Sequence, residues 1–329
     1  MTILTLQYFL TVAEELNVTT AAKKLYITQQ TLSAHIKRLE EEYGVALFER
    51  KPKFQLTPAG RRVLHYARRI VRLERLMASE LVDVANEKAG SLIVACSRVR
   101  AKSFLPQIWI EYHKLCPNIN IRVMNGYSQD MNEFVRSRKT DLCITLHDLP
   151  EQGLMKYPIL KEQLYFIVSP ELFHLYYPED TAEKFEQFRN KGITWKDIRN
   201  IPLLMLSPYN RIREAIDSEF DKMDYIPRVQ FETADSETLM TMALSGCGAT
   251  ILFESTVFYT SEQLTKELSK VFVFPVAGSE FNSMVTAPAD ISLPHYQQIF
   301  IEVCQQVFSR AKVKMTIREQ EYYSAFSFR

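Results

Sequence analysis

Gln29, Gln30, Thr31 and Ser33 stand just ahead of Lys37 and Arg38, in a segment whose Leu32, Ile36 and Leu39 recur at helical spacing. Burying the apolar positions turns the amides, hydroxyls and cations outward. A glutamine amide pairs with both edge atoms that adenine shows in the major groove. A hydroxyl donates or accepts, and a threonine methyl meets the methyl of thymine. Cations a turn or two later suit phosphates, as do Arg50, Lys51 and Lys53 further along. No comparable grouping supports metal or nucleophile chemistry. The histidines at 35, 65, 113, 147, 174 and 295 show neither HxxH nor HExxH spacing. The five cysteines, at 96, 116, 143, 247 and 304, form no CxxC pair, so neither a zinc cluster nor a disulfide framework is expected. Gly246-Cys247-Gly248 lacks the rest of a dinucleotide fingerprint and precedes a strand instead of following one. The expected chemistry is recognition of base edges and phosphates, with no cofactor, no metal and no enzymatic reaction.

The surrounding elements are what would position these residues. Leu6, Phe9, Leu10, Ala13 and Leu16 give a first helix one buried face, and Thr19 or Thr20 caps a short second helix with Ala21, Ala22 and Leu25 at its core. After the two-residue linker Tyr26-Ile27, Thr28 caps the third. Such a short linker is what a helix-turn-helix requires, with its second helix lying in the major groove. Leu47–Arg50 and Phe54–Leu56 read as two strands around the basic turn Lys51-Pro52-Lys53, a β-wing. Thr57 and Pro58 then start a long helix without a breaker to about Lys88, and its Val63, Ile70, Met77 and Val84 lie seven apart. Tyr66, Leu73 and Leu81 fill the intermediate seam, a heptad stripe suited to a two-stranded coil between subunits.

Charge divides the chain at the same place. The whole carries 40 Lys+Arg against 39 Asp+Glu. The first 75 residues hold 13 basic and 7 acidic side chains, leaving a basic head at +6 and a body at −5. Such asymmetry is expected of a nucleic-acid-binding domain joined to something else. Beyond Gly90 the period changes to β-α-β-α-β, ending on the buried strand Leu142-Cys143-Ile144-Thr145, which implies a parallel sheet covered on both faces. The order restarts after Pro202 and runs to the strand 249–252. Two tandem α/β halves leave a cleft between them, the usual place for a ligand. A long helix follows from Pro294 to about Lys314, and the remainder reads as an aromatic tail.

The ordered run Phe9-Leu-Thr-Val-Ala-Glu-Glu-Leu, Thr20-Ala-Ala-Lys-Lys-Leu, Thr28-Gln-Gln-Thr-Leu-Ser, Ile36-Lys-Arg-Leu-Glu, Gly44-Val-Ala-Leu-Phe-Glu-Arg and Leu56-Thr-Pro-Ala-Gly resembles the N-terminal signature of the LysR-type transcriptional regulators. Gly90-Ser-Leu, Lys139-Thr-Asp-Leu-Cys-Ile and Ser245-Gly-Cys-Gly-Ala-Thr-Ile extend the resemblance over most of the chain. It implies an α plus α/β architecture: a winged helix-turn-helix DNA-binding domain (1–59), a linker and dimerisation helix (60–89), a two-lobed effector-binding domain resembling periplasmic solute-binding proteins (90–311), and a C-terminal tail (312–329). It also implies a transcriptional regulator bound to double-stranded DNA as a homodimer or homotetramer, with RNA polymerase as a further partner. Its activity would be controlled by a small molecule, often anionic. Carried over by position, the effector residues are Ser97, Arg98, Arg100 and Ser103 at the first strand–helix turn, Thr145 at the end of the strand 142–145, Ser207 and Asn210 in the second half, and Phe253. A helix start with two arginines suits a carboxylate.

The sequence departs from the family pattern at Gln30, where proline is common, over 174–191, which is longer than usual, and after Ala311. Cys96 and Cys143 fall on strands expected to be neighbours, so a thiol switch and plain burial are both open readings. The N-terminus shows no basic residue ahead of its apolar stretch, so it does not read as a signal peptide, and a cytoplasmic location is expected. An exported solute-binding protein or an α/β enzyme would need an export signal or a catalytic constellation. A sequence-indifferent DNA-organising protein would need no cleft.

Overall fold

The computed structural model describes residues 1–49, 54–84, 90–126, 130–146, 152–179, 181–259 and 261–325. The chain divides into two units, Met1–Gly90 with Arg136–Thr140, and Ser91–Val135 with Asp141–Arg329.

In the first unit, α1 (Ile3–Glu15), α2 (Val18–Lys24) and α3 (Gln29–Tyr43) precede the two-stranded β1 (Phe48–Glu49) and β2 (Gln55–Leu56), and α4 (Pro58–Val84) follows. Asn17, not Thr19 or Thr20, caps α2: its side chain accepts from the Thr20 N–H at 3.0 Å. An asparagine amide oxygen caps as a threonine hydroxyl does, and the helix starts earlier as a result. Thr28 caps α3 as expected, accepting from the Thr31 N–H at 3.1 Å. The intervening turn puts Tyr26 in the left-handed region at φ 56°, and the Ile27 N–H closes it on the Ala22 carbonyl at 3.1 Å. Leu6, Phe9, Val12, Leu32, Ile36, Leu39, Leu47 and Phe48 form one core. The wing starts close to α4, because a Cβ on Gly60 would lie 2.1 Å from the Leu47 carbonyl oxygen.

The stripe on α4 splits between two duties. Val63 and Ile70 pack on this unit's own core, while Tyr66, Leu73 and Met77 are exposed. Residues 85–89 of the expected linker helix lie outside those described, as do the side chains of Leu81 and Val84.

The second unit is built on one eight-stranded sheet. Its elements are β3 (Gly90–Cys96), α5 (Arg98–Leu115), β4 (Ile119–Asn125), α6 (Met131–Arg136), β5 (Leu142–Leu146), β6 (Leu154–Val168), α7 (Pro170–Tyr176), α8 (Thr181–Lys191), α9 (Trp195–Ile198), β7 (Leu203–Leu206), α10 (Arg211–Asp221), β8 (Val229–Thr233), α11 (Ser236–Leu244), β9 (Ala249–Phe253), α12 (Glu254–Phe258), α13 (Glu262–Glu267), β10 (Phe272–Pro288) and α14 (His295–Ala325). The strand order is β4-β3-β5-β10-β6-β9-β7-β8. The two α/β halves are there, yet the sheet is mixed and not parallel throughout. The long strands β6 and β10 pair antiparallel along most of their length and join β5 to β9. The sequence did not disclose them. Pro158, the run Lys161-Glu162-Gln163 and the segment Gly278-Ser279-Glu280 interrupt their alternation, and register shifts fall between Pro275 and Glu280 and between Ser283 and Met284.

One apolar core runs along a face of this sheet across both halves, and α14 lies in it. The opposite face carries separate cores, one around Met131, Val135 and Cys143 and another around Phe166, Phe173, Phe188 and Phe274. The long 174–191 stretch thus contributes α8 and the buried Phe185 and Phe188. The tail expected from 312 is a continuation of α14 to Ala325, with Met315 and Tyr322 buried. Apolar and aromatic side chains at helical spacing bury this stretch as they do the turns before it.

Candidate functional site

On α3, the buried row Leu32, Ile36 and Leu39 leaves Gln29, Gln30, Thr31, Lys37 and Arg38 exposed, with Ser33 half-buried. The Gln29 amide oxygen accepts from the Thr19 hydroxyl at 2.9 Å, which holds the side chain at the helix start. Lys37 reaches Glu41 at 3.4 Å across one turn, a weak pair between two exposed groups. The Thr28 hydroxyl contacts that of Thr31 at 2.8 Å. Arg50, Lys51 and Lys53 of the wing lie outside the described residues. Glu40, on the far side of α3, accepts from the Leu47 and Phe48 N–H groups at 2.7 and 3.2 Å. That carboxylate fixes the first wing strand against the helix.

In the second unit, a cavity of about 320 Å³ opens where β3, β5, β7 and β9 end. Three helices present their first turns to it. Ser97 caps α5, Asn210 caps α10 and Asp235 caps α11, their side chains accepting from the N–H groups of Arg100, Ile212 and Thr238. Ser97, Arg98, Arg100, Thr145, Asn210 and Phe253 all line the cavity. Ser103 and Ser207 do not: Ser103 is one turn beyond Arg100 along α5, and the Ser207 N–H is spent on the Thr233 carbonyl at 2.9 Å.

Arg100 is not the simple carboxylate clamp that the helix start suggested. Its Nη2 donates to Glu162 Oε1 at 2.5 Å, with both side chains buried. Its guanidinium carbon also lies 5.9 Å from the Phe253 ring centre, within range of a cation–π contact. Its Nη1 is buried and meets no partner. Ser236, at the first turn of α11, also lines the cavity with a buried and unpartnered hydroxyl. Glu162 and Ser236 were missed in the sequence. Ser236 opens a helix of the second half, and Glu162 sits on a strand that the sequence pattern did not disclose.

Cys96 and Cys143 do lie on paired strands, but the register sets Cys143 opposite Ala95 and Cys96 opposite Ile144. Side chains alternate between faces, so the two thiols belong to different cores. Burial pushes the Cys96 thiol up to about 12, against the opposing pull of Arg100. Among the described residues no group of His, Cys, Asp and Glu is arranged to hold a metal ion, and no helix is long and apolar enough to cross a membrane.

Comparison with known proteins agrees with this geometry. The profile of the LysR substrate binding domain matches residues 85–308. That of the bacterial regulatory helix-turn-helix protein, lysR family, matches residues 3–61. The transcriptional regulator BsdA of Bacillus subtilis is 30% identical over 77% of this chain and 83% of its own length. The regulator CysL of the same organism is 28% identical over 76% and 80%. Among solved structures, a full-length OxyR variant from Pseudomonas aeruginosa superimposes with a TM-score of 0.67 at 21% identity, covering 93% of this chain and 95% of that one. Full-length CbnR in complex with its target DNA gives 0.59 at 20% identity, covering 93% and 100%; at such identities these structures share the fold. The head with its exposed helix and the sheet with its cavity are thus the two halves of one family pattern, and the chain belongs to the LysR family of DNA-binding transcriptional regulators.

Proposed function

We propose that this regulator reads a specific DNA sequence through the first turns of α3 and answers to a small anionic molecule held in the cavity of its second unit. The observation that carries the reading is the division of α3 into a buried row and an exposed row of amides, hydroxyls and cations. Gln29, Gln30, Thr31 and Ser33 would meet base edges. Thr28, Lys37 and Arg38, with Arg50, Lys51 and Lys53 of the wing, would meet phosphates. The exposed apolar row Tyr66, Leu73 and Met77 on α4 supports a homodimer, and two heads on a symmetric dimer would read half-sites about one helical turn apart. In the cavity, Ser97, Arg98, Arg100, Thr145, Asn210 and Phe253 are the candidate effector contacts. A ligand that favours one arrangement of the two halves would shift its population, and with it the spacing of the heads. RNA polymerase is the partner that such a regulator would address in the cytoplasm. Footprinting on the DNA flanking the protein's own gene tests the reading: a protected pair of half-sites is expected, and unprotected DNA with and without cell extract overturns it.

A further inference from the structure

Two glutamines stand side by side at the start of α3, and only one of them is held. Among the described residues the Gln30 side chain makes no hydrogen bond. The neighbouring Gln29 accepts at Oε1 from the Thr19 hydroxyl at 2.9 Å. Thr19 is free to make that bond because Asn17 is the cap of α2: the Asn17 side chain takes the Thr20 N–H at 3.0 Å. The Thr19 hydroxyl, at the second position of the helix, is left to Gln29. The bond therefore joins the first turns of the two helices that make the helix-turn-helix. Both side chains are exposed, so water competes for the bond in the free protein. Docking against base edges removes much of that water, and a hydrogen bond counts for more where water is excluded. Ordering an untethered glutamine at an interface costs its rotamer freedom, part of which Gln29 has already given up. A carboxamide that turns over also exchanges its donor for its acceptor, and those are the groups by which it tells one base from another.

We propose that Thr19 is a positioning residue for base recognition: by holding the Gln29 carboxamide it sets the discrimination at the base pair that Gln29 meets, whereas Gln30, which has no such tether, adapts to more than one base. The proposal rests on the reading of DNA by α3 and adds a specificity-determining residue that lies outside that helix. Thr19 acts through Gln29 and contacts no base itself.

Selection of binding sites from random DNA by the full chain tests this, with wild type compared against Gln29→Ala, Gln30→Ala, Thr19→Val and Thr19→Ser. Thr19→Val keeps the shape of the side chain and removes its hydroxyl at an exposed position, so the core is untouched. It is expected to relax preference at the base pair that Gln29→Ala relaxes, by about three- to tenfold. The pair that Gln30→Ala identifies should be unchanged in Thr19→Val, as should affinity for non-specific DNA and its salt dependence. Thr19→Ser, which keeps the hydroxyl, should retain the preference. Added to Gln29→Ala, Thr19→Val should have no further effect at that base pair, because the coupling disappears with its partner. A merely structural Thr19 would weaken every DNA sequence alike, and that outcome overturns the proposal. Unchanged preference in Thr19→Val, where Gln29→Ala relaxes it, also overturns the proposal and leaves base reading by α3 standing. No enriched motif from wild type overturns that reading itself.

Discussion

Lys312 Nζ lies 2.6 and 2.5 Å from the two carboxylate oxygens of Glu254, whose side chain is 1% exposed. The pair fastens the last four turns of α14 to α12. Earlier in the same helix, Phe308 stacks on Phe104 of α5 at 4.2 Å, and the Tyr296 carbonyl accepts from the Tyr112 hydroxyl at 3.1 Å. Later, Glu319 accepts from the Tyr165 hydroxyl at 2.6 Å, and the Tyr322 hydroxyl donates to the Val271 carbonyl at 2.7 Å. One helix thereby ties α5 to α12, to β6 and to the start of β10.

Removing Lys312 should therefore destabilise the protein in a pH-dependent way. Burial raises the Glu254 carboxyl above its usual range, and Lys312 opposes that rise. A carboxyl whose pKa is raised by folding favours the fold at low pH and loses that contribution as pH climbs through the folded value. In Lys312→Ala the opposing lysine is gone, the folded value moves higher still, and the buried charge is uncompensated at neutral pH. A loss of roughly 2 kcal/mol is expected at pH 8, below the full range for buried pairs because the lysine is partly exposed. The difference from wild type should be smaller at pH 5 than at pH 8, because uptake of a proton by Glu254 removes the uncompensated charge. Urea unfolding of both proteins at the two pH values checks it, and a penalty that grows toward low pH contradicts it.

Thiol chemistry should be confined to one position. Cys247 is exposed, whereas Cys96, Cys116, Cys143 and Cys304 are buried. Burial raises the Cys96 thiol to about 12 and that of Cys304 well above its ordinary value, so neither supplies thiolate near neutrality. Titration with a thiol-reactive dye is expected to find one reactive group in native protein and five in denaturant. Peroxide should leave the denatured count of the four buried thiols unchanged; their loss in pairs would contradict the register that separates Cys96 from Cys143.

Glu40 offers a test of the wing. Glu40→Ala strands the Leu47 and Phe48 N–H groups and should cost about 1–3 kcal/mol, with faster hydrogen exchange at those two amides. Glu40→Gln retains an acceptor and should recover part of the loss. Unaltered exchange at both amides in Glu40→Ala would show that the carboxylate does not hold the wing.

Most of the first unit was legible because each local signal agreed with its neighbours: the Leu32/Ile36/Leu39 row, the Thr28 cap and the Pro58 start all recur in the fold. The cap of α2 lies at Asn17 instead because Asn and Thr are comparable caps and the sequence offers both within three residues. In the second unit, Ser97 and Thr145 were readable as the ends of buried strands. The β6–β10 pair was not, because a strand that serves two halves of a sheet changes its buried neighbours along its length and loses its alternation. Glu162 was lost with it, and so was the neutralisation of Arg100.

Base reading by α3 falls, on this proposal, to the residues at its start. In-vitro selection of binding sites from random DNA, with wild type and Gln29→Ala side by side, tests it most directly. Wild type is expected to enrich a pseudo-palindromic site, and Gln29→Ala to relax discrimination at one base pair of each half-site, a loss of about 1–3 kcal/mol there, with the remaining positions kept. An identical motif from both proteins would contradict the placement of Gln29 at a base edge, and no enriched motif from wild type would contradict sequence reading by α3 altogether.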